Sequence, residues 1–271
     1  MTVDVDTAFT GSVAEFYERY MVPLIFEPYA VDLARRVAAA APRRVLELAA
    51  GTGAVTRHLA VMLDTATEIV ASDLNPAMIE EARRIGTARP VEWRQVDAMQ
   101  LPFDQGSFDA VVCQFGVMFF PDKALAFREM RRVLRPGGVL VFDAWAAIGA
   151  NDFADAIQHA LDALFPHDPP RFMTRVPHGY HDAATIAKDL AAAGFTSTPQ
   201  IETIAFTSRA ASPRIPARAY CEGTPWRGEI EARDPDGLKR AVNAAELELA
   251  RRFGTGEIEG RIEALVVTVT A

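Results

Sequence analysis

The stretch Glu47-Leu48-Ala49-Ala50-Gly51-Thr52-Gly53 carries the first chemical signal in the chain. A glycine-rich turn lets the backbone approach a ligand closely, because no Cβ intervenes and φ can be positive. A helix after it would offer unpaired N–H groups and a positive dipole end. Asp73 comes 20 residues after Gly53, a spacing at which an acid can accept two hydrogen bonds from a ribose diol. These residues predict a nucleoside cofactor, and two cofactors compete. The nicotinamide fingerprint is G-x-G-x-x-G, but here the stretch reads Gly51-Thr52-Gly53-Ala54-Val55-Thr56, without the third glycine. Glu47 would repel a diphosphate and attract an α-ammonium group. Asp97-Ala98 follows further on. There Asp97 is placed to accept a hydrogen bond from an adenine amino group, and the neighbouring amide can donate to the ring.

Alternating short apolar strands and amphipathic helices must position these residues, which predicts an α/β fold with a mainly parallel sheet. Strands are expected at Arg44–Leu48, Glu68–Ser72, Val91–Val96, Phe108–Gln114, Val139–Ala144, Gln200–Thr207 and Leu265–Thr270. Residues 13–41 read as helices broken near Pro23, and Val55–Leu63 as the helix after the turn. Asn75-Pro76 opens another helix as N-cap and first helical residue. Asp122–Leu134 is a helix stopped by Arg135-Pro136-Gly137-Gly138, Asp152–Leu164 is a helix, and Asp182–Ala193 is one ended by Gly194. The expected organisation is one domain over residues 1–271. It has N-terminal helices (1–41), a cofactor-binding core (42–145) and cover insertions (146–181 and 208–264) that carry substrate choice.

From Arg44 to Ala144 the sequence resembles a class I S-adenosylmethionine-dependent methyltransferase of the small-molecule branch that includes the quinone C-methyltransferases. Val45–Gly53 resembles the first motif of that family, Ser72-Asp73 its ribose-binding acid and Val96-Asp97-Ala98 its adenine motif. Phe108–Gln114 and Arg131–Gly138 resemble the fourth-strand and pre-fifth-strand motifs. The family often has glycine where this chain has Ala49. The resemblance implies a doubly wound, Rossmann-like seven-stranded sheet with an antiparallel last strand. It implies S-adenosylmethionine as methyl donor and S-adenosylhomocysteine as product. Expected cofactor contacts are Glu47, Ala49, Gly51, Thr52, Gly53, Asp73, Leu74, Asp97, Ala98 and Gln114. The alternatives are a protein that binds this cofactor without methyl transfer, or an NAD-dependent oxidoreductase.

The acceptor should meet the carboxyl ends of the strands. Candidates are Tyr17, Phe115, Met118, Phe119, Trp145, Phe172 and Trp226, since aromatic and Met walls suit a flat or apolar molecule. His178, as a general base, and Tyr20 are the catalytic candidates. His178-x-x-His181 lacks further ligands at suitable spacing, so no metal is expected. Arg128, Arg131, Arg132 and Arg135 read as a solvated helix face, and Asp109 as support for a turn. With 36 acidic against 28 basic residues the chain carries −8, which disfavours nucleic acid as partner. The two cysteines suit a reducing compartment. The first ten residues are not signal-like, and apolar runs are far shorter than the roughly 20 residues a bilayer needs, so a cytoplasmic protein is expected.

Overall fold

The computed structural model describes residues 12–271. Of the N-terminal helical segment expected over 1–41, residues 1–11 lie outside the described part. Strands β1 (Arg44–Leu48), β2 (Glu68–Asp73), β3 (Glu92–Gln95), β4 (Phe108–Cys113), β5 (Leu134–Trp145), β6 (Gln200–Ala210) and β7 (Ile258–Thr270) form one sheet in the order β3-β2-β1-β4-β5-β7-β6. β1 pairs in parallel with β2 and β4, β2 with β3, and β4 with β5. β7 runs against β5: the Gly137 amide bonds the Ala271 carbonyl while the Ala146 amide bonds that of Glu263. The architecture is the expected doubly wound, mainly parallel sheet with one reversed strand.

The chain divides into two compact units. One comprises residues up to Phe26, Trp145–Gly179 and Ala205–Glu263; the other comprises Glu27–Ala144, Tyr180–Ile204 and Ala264–Ala271. The second unit holds the sheet's parallel core. Its helices are α2 (Glu27–Ala39), α3 (Ala54–Met62), α4 (Pro76–Ile85), α5 (Lys123–Val133) and α8 (Ala183–Ala192). Val45, Leu46, Ala110, Val111, Val112 and Phe142 are shut away from solvent in it, as strands covered on both faces require. The first unit is helical: α1 (Ser12–Phe16), a π-helix (Tyr17–Phe26), α6 (Asp152–Leu164), α7 (Phe172–Arg175), α9 (Arg214–Gly223), α10 (Trp226–Arg233) and α11 (Leu238–Phe253). Among the described residues no helix is long and apolar enough to cross a membrane.

Several elements differ from the sequence reading. Pro23 does not break the helical run but sits inside the π-helix. Proline lacks an amide and crowds the preceding turn of an α-helix, and the wider coil accommodates the ring. Arg135-Pro136-Gly137-Gly138 does not lie between helix and strand but within β5, which starts at Leu134 directly after α5. The register with β4 slips between Phe108 and Ala110, so a bulge absorbs the Pro-Gly-Gly, with Gly137 at φ +79°. β7 begins seven residues before the expected Leu265. Its first half alternates buried Ile258, Gly260 and Ile262 with exposed Glu259 and Arg261, and this mixed composition conceals the strand.

The arginine run is not a solvated face throughout. Arg132 donates to the carbonyls of Leu101 and Phe103 and pairs with Glu129, and Arg135 pairs with Asp109. Asp109 does more than support a turn. Its Oδ2 accepts the amides of Arg43 (2.7 Å) and Arg44 (2.8 Å), tying the start of β1 to β4. Charge-assisted bonds of this kind contribute about 1.5–3 kcal/mol each. Asp109→Ala is therefore expected to lower unfolding free energy by about 2–4 kcal/mol. A urea midpoint indistinguishable from the parent, at equal slope, would contradict the clamp.

Candidate active site

The turn after β1 is built by four strand-end contacts. The Ala50 amide bonds the Ser72 carbonyl, and the Ser72 hydroxyl donates to the Glu47 carbonyl. The Gly51 amide donates to Asp73 Oδ2 at 2.8 Å, and the Asn75 amide to Asp73 Oδ1 at 2.8 Å. Asp73 thus holds the glycine turn and the start of α4 together. Asn75 caps α4 by accepting the Ala77 amide, with Pro76 at the first helical position, as its sequence implied. Ala49, Gly51 and Gly53 take φ values of +51°, +57° and +86°. Gly53 has a second constraint, since a β-carbon there would fall 2.9 Å from Trp93 Cη2. Near Gly51 the same construction meets nothing within 4 Å, so the backbone is open to a ligand.

Glu47 is 1% exposed, and its Oε2 accepts the Thr56 hydroxyl at 2.6 Å. Burial pushes its carboxyl up to about 8, against the pull of Thr56 and Arg57. It is mostly protonated at neutral pH until a cation stands beside it. Burial also raises the Asp73 carboxyl, opposed by the amides of Asn75, Gly51 and Leu74. Leu74 is 53% exposed next to Asp73, an uncovered apolar side chain beside an acid. Beyond β3, Asp97 is exposed, with its Oδ1 accepting the Met99 amide at 2.8 Å, while Ala98 is buried. The Val96 amide bonds the Asp73 carbonyl, and Gln95 donates to that of Leu74. Glu47, the 49–53 turn, Asp73 and Leu74 are therefore joined through the ends of β1, β2 and β3. Gln114 stands half-buried just past β4.

Of the acceptor candidates in this unit, Phe115 and Met118 are buried and Phe119 is half-buried, the last two in a 3₁₀ turn at Val117–Phe119. In the other unit an aromatic row runs Tyr17–Phe26–Trp145–His178, with ring centroids 5.1, 6.0 and 6.0 Å apart. His178 is buried, and its Nδ1 lies 2.8 Å from the Ala146 carbonyl oxygen. A carbonyl only accepts, so Nδ1 carries the hydrogen and the neutral ring has its lone pair on Nε2. Tyr20 packs on Phe16, with the Arg218 guanidinium 5.8 Å from its ring. Phe172 and Trp226 are sealed into the helical packing, Trp226 against Tyr220.

Sequence reading missed three groups. Thr56, the partner of Glu47, is an unremarkable helix residue in the linear chain. Trp93 was only a strand residue until β3 brought it against Gly53. Asp143 is a fully buried acid in an apolar strand, and its polar type in Val139–Trp145 was the available signal.

An open parallel sheet with an acid-anchored glycine turn at its carboxyl edge defines a nucleoside-cofactor-binding protein. A methyltransferase-domain family matches residues 46–142. The demethylmenaquinone methyltransferase of Thermus thermophilus is 46% identical over 117 residues, 41% of this chain and 50% of that protein. That of Clavibacter sepedonicus is 33% identical over 178 residues, 62% of this chain and 71% of that protein. Phosphoethanolamine N-methyltransferase 2 of Haemonchus contortus, solved with S-adenosyl-L-methionine, shares the fold with a TM-score of 0.62 at 16% identity. The matched region spans 99% of this chain and 60% of that one. The chain belongs to the class I S-adenosylmethionine-dependent methyltransferases. It spans about half the length of the Thermus relative.

The folded chain holds a proton on Glu47 that the unfolded chain releases above its ordinary carboxylate range. Stability from this group is therefore lost as pH rises from about 5 to about 8, by at most about 1.4 kcal/mol per pH unit. Glu47→Gln should flatten that part of the stability–pH curve. A Gln variant with the parent's slope would show that Glu47 is ionised in the free protein.

Proposed function

We propose that this chain transfers a methyl group from S-adenosylmethionine to a small, flat, oxygen-bearing aromatic acceptor. The turn after β1 is the observation that carries this reading, since it pairs a buried acid with open backbone and a second acid. Glu47 and the backbone of Ala49–Gly53, Thr52 included, would hold the amino-acid end. Glu47 ionises when an ammonium group replaces the water it has lost. Asp73 would accept the ribose hydroxyls with the lone pairs that Gly51 and Asn75 leave. Leu74 would cover one face of the adenine, Asp97 and Ala98 its edge, and Gln114 would lie below the methionine moiety. When bound, the cofactor supplies a methyl on a sulfonium whose displacement leaves a neutral thioether, so proximity and alignment are the main demands.

The acceptor class is supported by the demethylmenaquinone methyltransferase relatives and by the residues themselves. The Tyr17–Phe26–Trp145 row is a run of flat apolar rings, of which Tyr17 is the half-buried one. In this reading Phe172 and Trp226 back the acceptor wall. His178 would take up the proton that the acceptor loses, using Nε2, and Tyr20 is the second candidate for proton handling. Both cysteines are buried free thiols, which supports a reducing location such as the cytoplasm.

S-adenosylmethionine and S-adenosylhomocysteine at 100 times their dissociation constants should each stabilise the protein by about 2.7 kcal/mol, and NAD should not. Asp73→Ala should weaken the sulfur nucleosides at least about tenfold. Stabilisation by NAD alone would overturn the cofactor assignment. With S-adenosylmethionine and a panel of hydroquinones, S-adenosylhomocysteine should accumulate. His178→Gln should lower kcat by about 10²-fold while leaving cofactor affinity unchanged. Turnover by the Gln variant at the parent rate would remove His178 from the chemistry.

A further inference from the structure

Two turns meet at the carboxyl edge of the sheet in the second unit. Ala49, after β1, has φ +51°, and Phe115, after β4, has φ +46°. Side-chain-bearing residues rarely hold this left-handed conformation unless their surroundings fix it. Gly116 comes next, and a β-carbon there would fall 2.6 Å from the Ala49 methyl and 2.6 Å from Cys113 Sγ. The Ala49 side chain therefore fills the space that Gly116 leaves. One turn cannot shift without the other.

Phe115 is held at both ends. Its amide donates to Asp143 Oδ1 at 2.6 Å. Its ring meets the Tyr29 ring edge-on at 5.2 Å, and the Tyr29 hydroxyl donates to the Ile204 carbonyl at 3.0 Å. Asp143 is fully buried near the end of β5, and its Oδ2 has no hydrogen-bond partner among the described residues. Burial raises its carboxyl well above the ordinary range, and an amide side chain of the same shape keeps an acceptor oxygen at the Oδ1 position.

We propose that Asp143 is a positioning residue for the cofactor turn. By accepting the Phe115 amide it fixes the left-handed turn after β4, and Gly116 in that turn fixes Ala49 at the head of the glycine turn. The inference rests on the proposed cofactor reading and adds a residue that touches neither cofactor nor acceptor.

Asp143→Asn keeps an acceptor oxygen in the same place, and Asp143→Leu removes it at similar size. S-adenosylhomocysteine affinity is read by calorimetry on folded protein well below its melting temperature. The Asn variant should bind within about twofold of the parent, and the Leu variant at least about tenfold more weakly, as loss of the acceptor for a buried amide implies. A Leu variant that melts earlier but binds with the parent's dissociation constant would make Asp143 merely structural and overturn the proposal. Equal weakening in both variants would overturn it too, because Asn preserves the bond. Absence of binding by the parent sinks the cofactor reading and this role with it. Normal parent binding with an unaffected Leu variant sinks the role alone. If the Leu variant does not fold, hydrogen exchange on the parent decides: the Phe115 amide should exchange at least about 100-fold more slowly than a free amide. Fast exchange there refutes the hold.

Discussion

Carboxyl groups removed from water organise the carboxyl edge of the parallel core. Glu47 and Asp143 are buried at or near the ends of β1 and β5, and Asp73 is half-buried at the end of β2. A buried acid must find donors or stay protonated. Each of the three settles this differently. Asp73 takes the backbone amides of Gly51, Asn75 and Leu74, Glu47 takes the Thr56 hydroxyl and amide, and Asp143 takes the amide of Phe115. For Asp73 and Asp143 the donors are backbone amides of the turns after β1, β2 and β4, so satisfying these acids and shaping those turns are one requirement. An apolar residue in any of these places would leave an amide or hydroxyl unanswered and release the turn it holds.

The parts of the fold that repeat a simple pattern were legible in the sequence. β1, β2 and β4 are short and rich in Val, Ile and Leu, the helix over Asp152–Leu164 has a clear apolar stripe, and Asn75-Pro76 announces a helix start. The turn after β1 was legible for a different reason: Ala49–Gly53 and the acid that ends β2 stand out by residue type alone, directly after short apolar strands. What escaped depends on distant partners. Asp143 has meaning only opposite Phe115, and Arg132 only beneath the carbonyls of Leu101 and Phe103. The first half of β7 is half solvated, so its alternation of Ile and Gly with charged residues resembles a loop. The π-helix around Pro23 follows from a local steric conflict whose resolution depends on packing.

The two units rest on different forces. The sheet unit is apolar within its parallel core, and its strand-end acids Asp73 and Asp109 each hold named backbone amides. The helical unit combines aromatic contacts with ion pairs, such as Arg252 with Asp155 and Glu248 and Arg214 with Glu246. Half-exposed pairs of that type add little stability and weaken with salt. Its integrity rests mainly on rings and aliphatic side chains such as Trp226, Phe153 and Leu249, all shut away from solvent.

The Asp109 clamp also bears on how the chain reaches its native form. It joins residues 65 and 66 positions apart and fixes the central β1–β4 pair. Closing a loop of that length costs about 4 kcal/mol in chain entropy before any contact is rewarded. β2 and β3 lie inside that loop, so β1 has to leave room for them on its other edge while pairing with a strand that emerges later. Folding of this kind is dominated by non-local contacts and is correspondingly slow. During synthesis, the half-sheet made of β1, β2 and β3 would emerge with the partner edge of β1 uncovered until Asp109 arrives.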